Sequence, residues 1–214
     1  MRNFDYSHLK DRTWDNEILS YVAKIHEFKG KQELYLRQKP VELERLVEIA
    51  KVQSTESSNR IEGIVTTRSR LQQLVEDKTT PRNRDEKEIL GYWNVLNLIH
   101  ENYQYIPLKS NYILQLHRDL LQYTELSYGG KYKTSPNEID AVLPNGEKRI
   151  LFKPLEPYEI PNAIEQICSS YQQTLDHEIV DSLILIPCVI LDFLCVHPYN
   201  DGNVPLRYQQ QIAA

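Results

Sequence analysis

Close to the C-terminal end, the sequence places a histidine, a carboxylate and a glycine–asparagine pair within one short segment. The segment follows an apolar stretch and reads His197, Pro198, Tyr199, Asn200, Asp201, Gly202 and Asn203. Histidine is suited to proton abstraction near neutral pH, and aspartate is an oxygen ligand that Mg²⁺ accepts while it also binds phosphates. Proline ends a helix, and glycine and asparagine tolerate the backbone angles of a tight turn, whose exposed N–H groups bind anions. The spacing therefore predicts a phosphate-binding loop with a general base at its start.

The composition is typical of a soluble globular protein, with 41% hydrophobic and 26% charged residues among 214. The net charge of −5 argues against direct nucleic-acid binding, which needs a basic surface. No apolar segment of a signal peptide follows Met1. The longest apolar run, 183–191, is interrupted by Pro187 and is too short to span a membrane. We therefore expect a cytoplasmic protein without a membrane segment, with its three cysteines buried and reduced.

Few glycines and long runs of apolar residues at helical spacing predict an all-α, mainly α-helical protein. Three helices are expected in the N-terminal part, and the first should end or bend near Gly30. The first helix should start at Asp15 or Asn16. The second should start at Pro40 and end at Gly63, and the third should start at Thr66 or Thr67. The expected apolar stripes are Ile18, Leu19, Val22 and Ile25 in the first helix and Leu43, Leu46, Val47 and Ala50 in the second.

A polar run, 77–84, divides the chain into an N-terminal helical extension, 1–80, and a core, 85–214. In the core, one helix should begin at Asp85 and the next should be capped by Ser110. The expected inward stripe of the first is Ile89, Tyr92, Trp93, Leu96 and Ile99. The expected strands are 131–133, 139–143 and 149–152, the last two joined by a hairpin turn. The last full helix, about 180–196, is apolar nearly all round and should be the buried central helix.

The segment 197–203 resembles the signature loop of the Fic family, H-P-F-x-[D/E]-G-N-G-R-x-x-R, with Tyr199 in place of phenylalanine. The resemblance implies a Fic-type helical bundle with a β-hairpin flap. It also implies a reaction in which ATP and Mg²⁺ are used to transfer AMP to a hydroxyl side chain of a target protein. In that interpretation His197 takes the proton from the target's Ser, Thr or Tyr, and Asp201 holds Mg²⁺. Gly202 and Asn203 would then contact the nucleotide through backbone N–H groups and an amide.

The hairpin around 142–152 resembles the flap of the same family, which aligns an extended target segment by strand addition. The implied target-docking residues are Val142, Leu143, Pro144, Asn145 and Gly146. The alternative is an ordinary surface hairpin, because Asn-Gly turns are common.

A second segment, 58–63, resembles the family's inhibitory helix pattern, [S/T]-x-x-x-E-[G/N]. Its place ahead of the core is that of the N-terminally inhibited subclass of protein adenylyltransferases. The resemblance implies autoinhibition by Ser58, Glu62 and Gly63, in which Glu62 excludes the γ-phosphate and pairs with the second arginine of the signature. The alternative is an ordinary helix end, and we expect Arg60 to be a solvated or paired surface charge.

The signature is interrupted after Asn203, because Val204, Pro205 and Tyr208 stand where the family has a glycine and two arginines. Arg207 lies about 100° away round a helix from the second arginine position and does not replace it. We hypothesise a truncation or reading-frame change after residue 203, against a natural pseudoenzyme. Loss of the helix that follows the loop would expose the 180–196 helix. We therefore expect a less stable chain that can form a homo-oligomer.

Three functions stay open at this point. The first is a Fic-type protein adenylyltransferase, a nucleotidyltransferase impaired by its altered loop. The second is a catalytically inactive Fic-fold regulatory or interaction protein. The third is a transferase that uses another nucleotide or a phosphocholine donor. Retention of His197, Asp201 and Glu62 favours the first, whereas the residues after 203 favour the second.

Overall fold

The computed structural model describes residues 3–61, 63–76, 79–142 and 147–203. Within these ranges the chain forms seven α-helices, two short 3₁₀ turns and one β-hairpin. The helices are α1 (Asn16–Gln38), α2 (Pro40–Ile61), α3 (Arg68–Val75), α4 (Arg84–Asn102), α5 (Ser110–Leu120), α6 (Ile160–Asp176) and α7 (Ser182–Val196). The hairpin consists of β1 (Ile139–Val142) and β2 (Lys148–Phe152), which pair in antiparallel register between α5 and α6. The predicted mainly α-helical class is confirmed.

Capping side chains set the starts of several helices. The Asp15 carboxylate accepts a hydrogen bond from the Ile18 N–H at 2.8 Å, as the sequence predicted for α1. Thr67 caps α3 in the same way, with its hydroxyl oxygen 3.2 Å from the Arg70 nitrogen. The prediction for α5 was wrong by one residue, because Ser110 is its first helical residue and Lys109 precedes it as the cap.

Two local predictions about the backbone were wrong. Helix α1 continues through Gly30 to Gln38, since a helical glycine costs only about 1 kcal/mol relative to alanine and the surrounding residues favour the helix. Residues 131–133 form no strand. The Lys133 N–H instead donates to the Pro198 carbonyl at 2.9 Å, so this segment is joined to the loop after α7.

The main hydrophobic core lies between α4, α5, α6 and α7. Its central side chains are at most 3% exposed: Tyr92, Leu96, Ile99, Ile113, Leu120, Ile160, Ile164, Ile167, Leu185, Phe193 and Val196. Helix α7 is buried on one side rather than all round, because Leu191 is 57% exposed. No helix in the described ranges is long and apolar enough to cross a membrane.

A second apolar cluster joins the extension to the core. Val52 of α2 and Leu71 and Leu74 of α3 pack with Ile89 and Trp93 of α4. This cluster places the C-terminal end of α2 beside α4, close to the loop that follows α7.

Candidate functional site

The end of α7 positions the predicted base. His197 follows the last helical residue and has left-handed backbone angles, φ 49° and ψ 63°. Such angles are strained for a residue other than glycine and persist only where the surroundings hold them. The His197 N–H closes the helix by donating to the Phe193 carbonyl at 3.1 Å. Pro198 cannot continue the helix, so the chain turns into the loop with the imidazole at its start.

Asn203 defines the protonation state in which His197 is held. Its Oδ1 accepts from the Tyr199 N–H at 2.9 Å, and its Nδ2 donates to the Tyr199 carbonyl at 2.9 Å. These two bonds fix the orientation of the amide, so Nδ2 is also the atom 3.3 Å from His197 Nε2. An amide nitrogen only donates, and therefore Nε2 carries the lone pair and Nδ1 carries the proton of a neutral imidazole.

Burial and the nearby Lys133 ammonium lower the pKa of His197. Lys133 is itself buried, with its Nζ bonded to the Asn137 side-chain oxygen. A lowered pKa keeps the imidazole neutral at pH 7, which is the state that accepts a proton. Sequence analysis missed this role of Lys133, because it assigned the segment to a strand.

The half-buried Asp201 and the buried Gly202 form the part of the loop that borders the pocket. The Asp201 Oδ1 accepts from the Gly202 N–H at 2.9 Å, and its Oδ2 lies 2.7 Å from Arg84 Nη2. Gly202 has a φ of 74°. A Cβ at this position would lie 3.2 Å from Leu120 Cδ2 and 3.3 Å from His117 Cδ2, so both the backbone angle and the close packing favour glycine.

His117 of α5 supports the loop from the protein interior and was also missed by sequence analysis. Its Nδ1 accepts from the Gly130 N–H at 3.0 Å, and its Nε2 donates to the Asp201 carbonyl at 3.0 Å. Burial lowers the pKa of His117 to about 4, so the ring stays neutral. The available signal was its place on the inward stripe with Ile113 and Leu116, since a buried histidine must find polar partners.

Tyr199 stacks on His117, with ring centroids 3.7 Å apart, and is fully buried. Its hydroxyl has no hydrogen-bond partner among the described residues. The ring therefore anchors the loop to the core through packing, as a phenylalanine would.

A pocket of about 270 Å³ opens beside the loop, between α2, α4 and the end of α5. Its polar lining consists of Asn59, Arg84, Asp85, Glu88, Asp201 and Gly202. A larger apolar pocket of about 530 Å³ lies between α4, α5, α6 and α7, and none of the predicted site residues lines it. Of the loop residues singled out from the sequence, Asp201 and Gly202 line the smaller pocket, and His197 and Asn203 do not.

Comparison with known proteins agrees with this geometry. Residues 107–205 match the model of the Fic/DOC family. Residues 107–205 therefore correspond to a Fic/DOC family domain. No curated protein matches the chain.

Solved Fic structures share the fold. A Fic domain containing signaling protein from Bacteroides thetaiotaomicron is 25% identical, with a TM-score of 0.70 over 80% of this chain and 64% of that chain. A Fic family protein from Desulfovibrio desulfuricans is 17% identical, with a TM-score of 0.75 over 94% and 58%. Fic-1 from C. elegans is 16% identical, with a TM-score of 0.69 over 92% and 58%. The chain spans about three fifths of the length of these solved chains.

The segment with the inhibitory pattern lies next to the Fic loop. Ser58 is buried, and its Oγ forms a 2.9 Å hydrogen bond with the Tyr92 hydroxyl. Asn59 lines the pocket, and Gly63 follows with a φ of 80°. Arg60 is exposed and pairs with Glu56, as expected. Glu62 lies outside the described residues.

Other predicted positions fall at the limits of the described ranges. Val142 ends β1 and pairs with Lys148, while Leu143, Pro144, Asn145 and Gly146 lie outside the described residues. Val204, Pro205 and Tyr208 lie outside them as well.

The carboxylates at the pocket wall are the side chains that could hold a divalent cation. In the described ranges, no group of three or more His, Cys, Asp or Glu side chains could hold a metal ion. Mg²⁺ usually binds one or two carboxylates together with substrate phosphates. Three carboxylates line the pocket wall, Asp85, Glu88 and Asp201, and one or two of them would suit an ion that arrives with a nucleotide.

Proposed function

We propose that this Fic protein transfers AMP from ATP to a hydroxyl side chain of a target protein. The observation that carries the proposal is the state of His197. Its imidazole is neutral, with the Nε2 lone pair oriented by Asn203, and it begins the loop whose next carboxylate lines the pocket. A base in this state is suited to remove the proton of an attacking hydroxyl.

In the proposed reaction, Nε2 of His197 exchanges its contact with Asn203 for the target hydroxyl. It takes the hydroxyl proton as the oxygen attacks the α-phosphorus of ATP. The new oxygen–phosphorus bond forms while the bond between the α-phosphorus and the bridging oxygen breaks, and pyrophosphate leaves with the electron pair. Stabilisation of phosphate charge is the main contribution that a protein makes to such transfers.

Asp201 is the proposed ligand of Mg²⁺, which would offset the charge of the nucleotide phosphates. His117 donates to the Asp201 carbonyl from the protein interior and therefore holds the loop backbone against the core. This support keeps the carboxylate and Gly202 at the wall of the pocket.

The β1–β2 hairpin is the proposed docking site for the target segment. Ile150 and Leu151 of β2 are 48% and 61% exposed. A short exposed hairpin has unpaired strand edges, to which an extended peptide can add as a further strand. Val142 and residues 143–146 would then align the hydroxyl with His197.

The segment 58–63 is the proposed regulator. Asn59 lines the same pocket as Asp201, and Ser58 is fixed to Tyr92 on α4. These contacts support a position for the end of α2 beside the nucleotide phosphates. In this proposal Glu62 competes with the terminal phosphate, and its removal activates the transferase.

Incubation with α-labelled ATP and Mg²⁺ tests the proposal. The Glu62→Gly chain should label itself or an added target more strongly than the wild type, and adding His197→Ala should abolish the label. His26→Ala is the matched control, because this histidine lies on α1, pairs with Asp181 on the surface and is not part of the loop 197–203. Labelling that is unchanged by His197→Ala would contradict the proposed role of the base.

A second candidate, a Fic-fold binding protein without catalytic activity, is favoured by Val204, Pro205 and Tyr208 in place of the signature glycine and arginines. It predicts no label in any of these variants. Restoring the signature residues at the three positions would then separate the candidates. Recovery of His197-dependent label would indicate a transferase impaired at its phosphate-binding end, and continued absence would indicate a binding protein.

A further inference from the structure

We propose that Arg84 is the phosphate-binding residue of the pocket beside the Fic loop. The inference rests on the proposed function and deepens it, because it names the cation that this chain offers to the nucleotide phosphates. Sequence analysis placed Arg84 at the end of a polar linker and assigned it no role.

Without Arg84, the charged side chains among the described residues that line the pocket would all be negative. Three carboxylates line the pocket: Asp85, Glu88 and Asp201. Among the described lining residues, Arg84 is the only cation. A nucleoside triphosphate carries several negative charges of its own, so its entry requires cations at the wall.

The geometry holds the Arg84 guanidinium where the phosphates would lie. Its Nη2 is 2.7 Å from Asp201 Oδ2, and its Nε is 2.6 Å from Glu88 Oε1. The contact with Glu88 spans one helical turn of α4 and fixes the side chain in the direction of the loop. The guanidinium is therefore already beside the carboxylate that the proposed mechanism assigns to Mg²⁺.

The Arg84–Asp201 pair can be exchanged at small cost. The Arg84 side chain is 57% exposed and that of Asp201 is 38% exposed, and solvent-exposed ion pairs contribute little to stability. Once Asp201 binds Mg²⁺, the Nη2 group of Arg84 is available to phosphate oxygens at the same place. The planar fork of a guanidinium matches two such oxygens. Arg84 would thus supply from α4 the charge that the signature places at positions 205 and 208.

Equilibrium binding of ATP with Mg²⁺ to the full chain tests the inference. Arg84→Ala should weaken ATP binding by about 10-fold to 100-fold, the loss typical of hydrogen bonds to charged groups. Adenosine, which has no phosphates, should bind both chains equally. Arg84→Lys should lose less, since it keeps the charge but not the fork. Lys87→Ala is the matched control, because Lys87 lies on the same helix and pairs with Glu125 outside the pocket.

Two results would overturn the inference. They differ in whether they also contradict the proposed AMP transfer. ATP binding that is equal in Arg84→Ala and wild type would remove the role of Arg84 and leave the proposed AMP transfer intact, provided that His197-dependent labelling is observed. Failure of both the wild type and the Glu62→Gly chain to bind ATP would contradict both. Thermal unfolding of each variant confirms that the folded chain is being compared.

Discussion

Helices α1 and α4 look alike as sequences and differ in their surroundings. Both are long, both carry apolar residues at helical spacing, and both contain one glycine. In α4, Leu96 and Ile99 are at most 1% exposed, whereas Leu19 and Ile25 in α1 are 49% and 48% exposed. Periodicity shows which side of a helix is apolar. It does not show whether another element packs against that side.

Helix α2 has an exposed half and a buried half. In its first half Val41 and Leu46 are 72% and 58% exposed, whereas Val52 is 9% and Thr55 is fully buried. The change occurs where α3 and α4 begin to pack against the helix. The buried half carries Asn59 to the pocket and Ser58 to the Tyr92 hydroxyl, so packing against α4 places these two residues beside the candidate site.

The largest expected difference between α4 and α1 concerns side-chain truncation. Leu96→Ala removes a side chain with no solvent exposure and should lower the free energy of unfolding by about 4 kcal/mol. Leu19→Ala in α1 should change it by less than about 0.5 kcal/mol. Urea denaturation of both variants measures the difference. Equal losses of unfolding free energy would show that Leu19 is packed against another element in solution. The proposed difference between α1 and α4 would then be wrong.

The two helical glycines should respond to alanine with opposite signs. A Cβ on Gly91 would lie 1.9 Å from the Leu120 carbonyl oxygen, so α4 and α5 would have to separate, and we expect a loss of about 3 kcal/mol. Among the described residues, no atom lies within 4 Å of a Cβ built on Gly30. Gly30→Ala should therefore stabilise the chain by about 0.8 kcal/mol. Thermal unfolding checks both signs, and destabilisation by Gly30→Ala would place a neighbour against α1.

The buried histidine beneath the loop should make stability depend on pH. Below pH 6.5 the unfolded chain protonates His117, but the folded chain does so only near pH 4. The contribution to the free energy of unfolding is fully present above pH 6.5 and should fall by about 2 to 3 kcal/mol as the pH decreases to 4. His117→Gln keeps a donor and an acceptor without titrating, so its unfolding curves should lose this part of the slope. An unchanged slope would contradict the buried, neutral state of the ring.

A smaller effect than that of His117 is expected at Tyr199, whose buried hydroxyl has no partner among the described residues. Tyr199→Phe removes an unsatisfied polar atom and should raise the free energy of unfolding by about 1 kcal/mol. Tyr35→Phe in α1 is the control, since Tyr35 is 51% exposed and should show no change. A loss on Tyr199→Phe would indicate that the hydroxyl is hydrogen-bonded in solution.

The sequence could predict only those residues of the candidate site that lie close together along the chain. His197, Asp201 and Gly202 were found because their spacing within one turn has a chemical meaning. His117, Lys133 and Arg84 were not found, because they reach the loop from α5, from the segment before β1 and from the start of α4. The fold was predicted best where capping and burial act together, as in α3 and α4. It was predicted less well in α1, where Ile18, Leu19 and Ile25 of the apolar stripe are 36–49% exposed.

The central claim, that this chain transfers AMP, is tested most directly by asking which phosphate of ATP stays with the protein. The Glu62→Gly chain is incubated with Mg²⁺ and ATP labelled at either the α- or the γ-phosphate, and then denatured to release bound nucleotide. AMP transfer predicts retained label from α-labelled ATP, none from γ-labelled ATP, and no label when His197→Ala is added. Retained γ-label without α-label, or no retained label from either nucleotide, would contradict the claim.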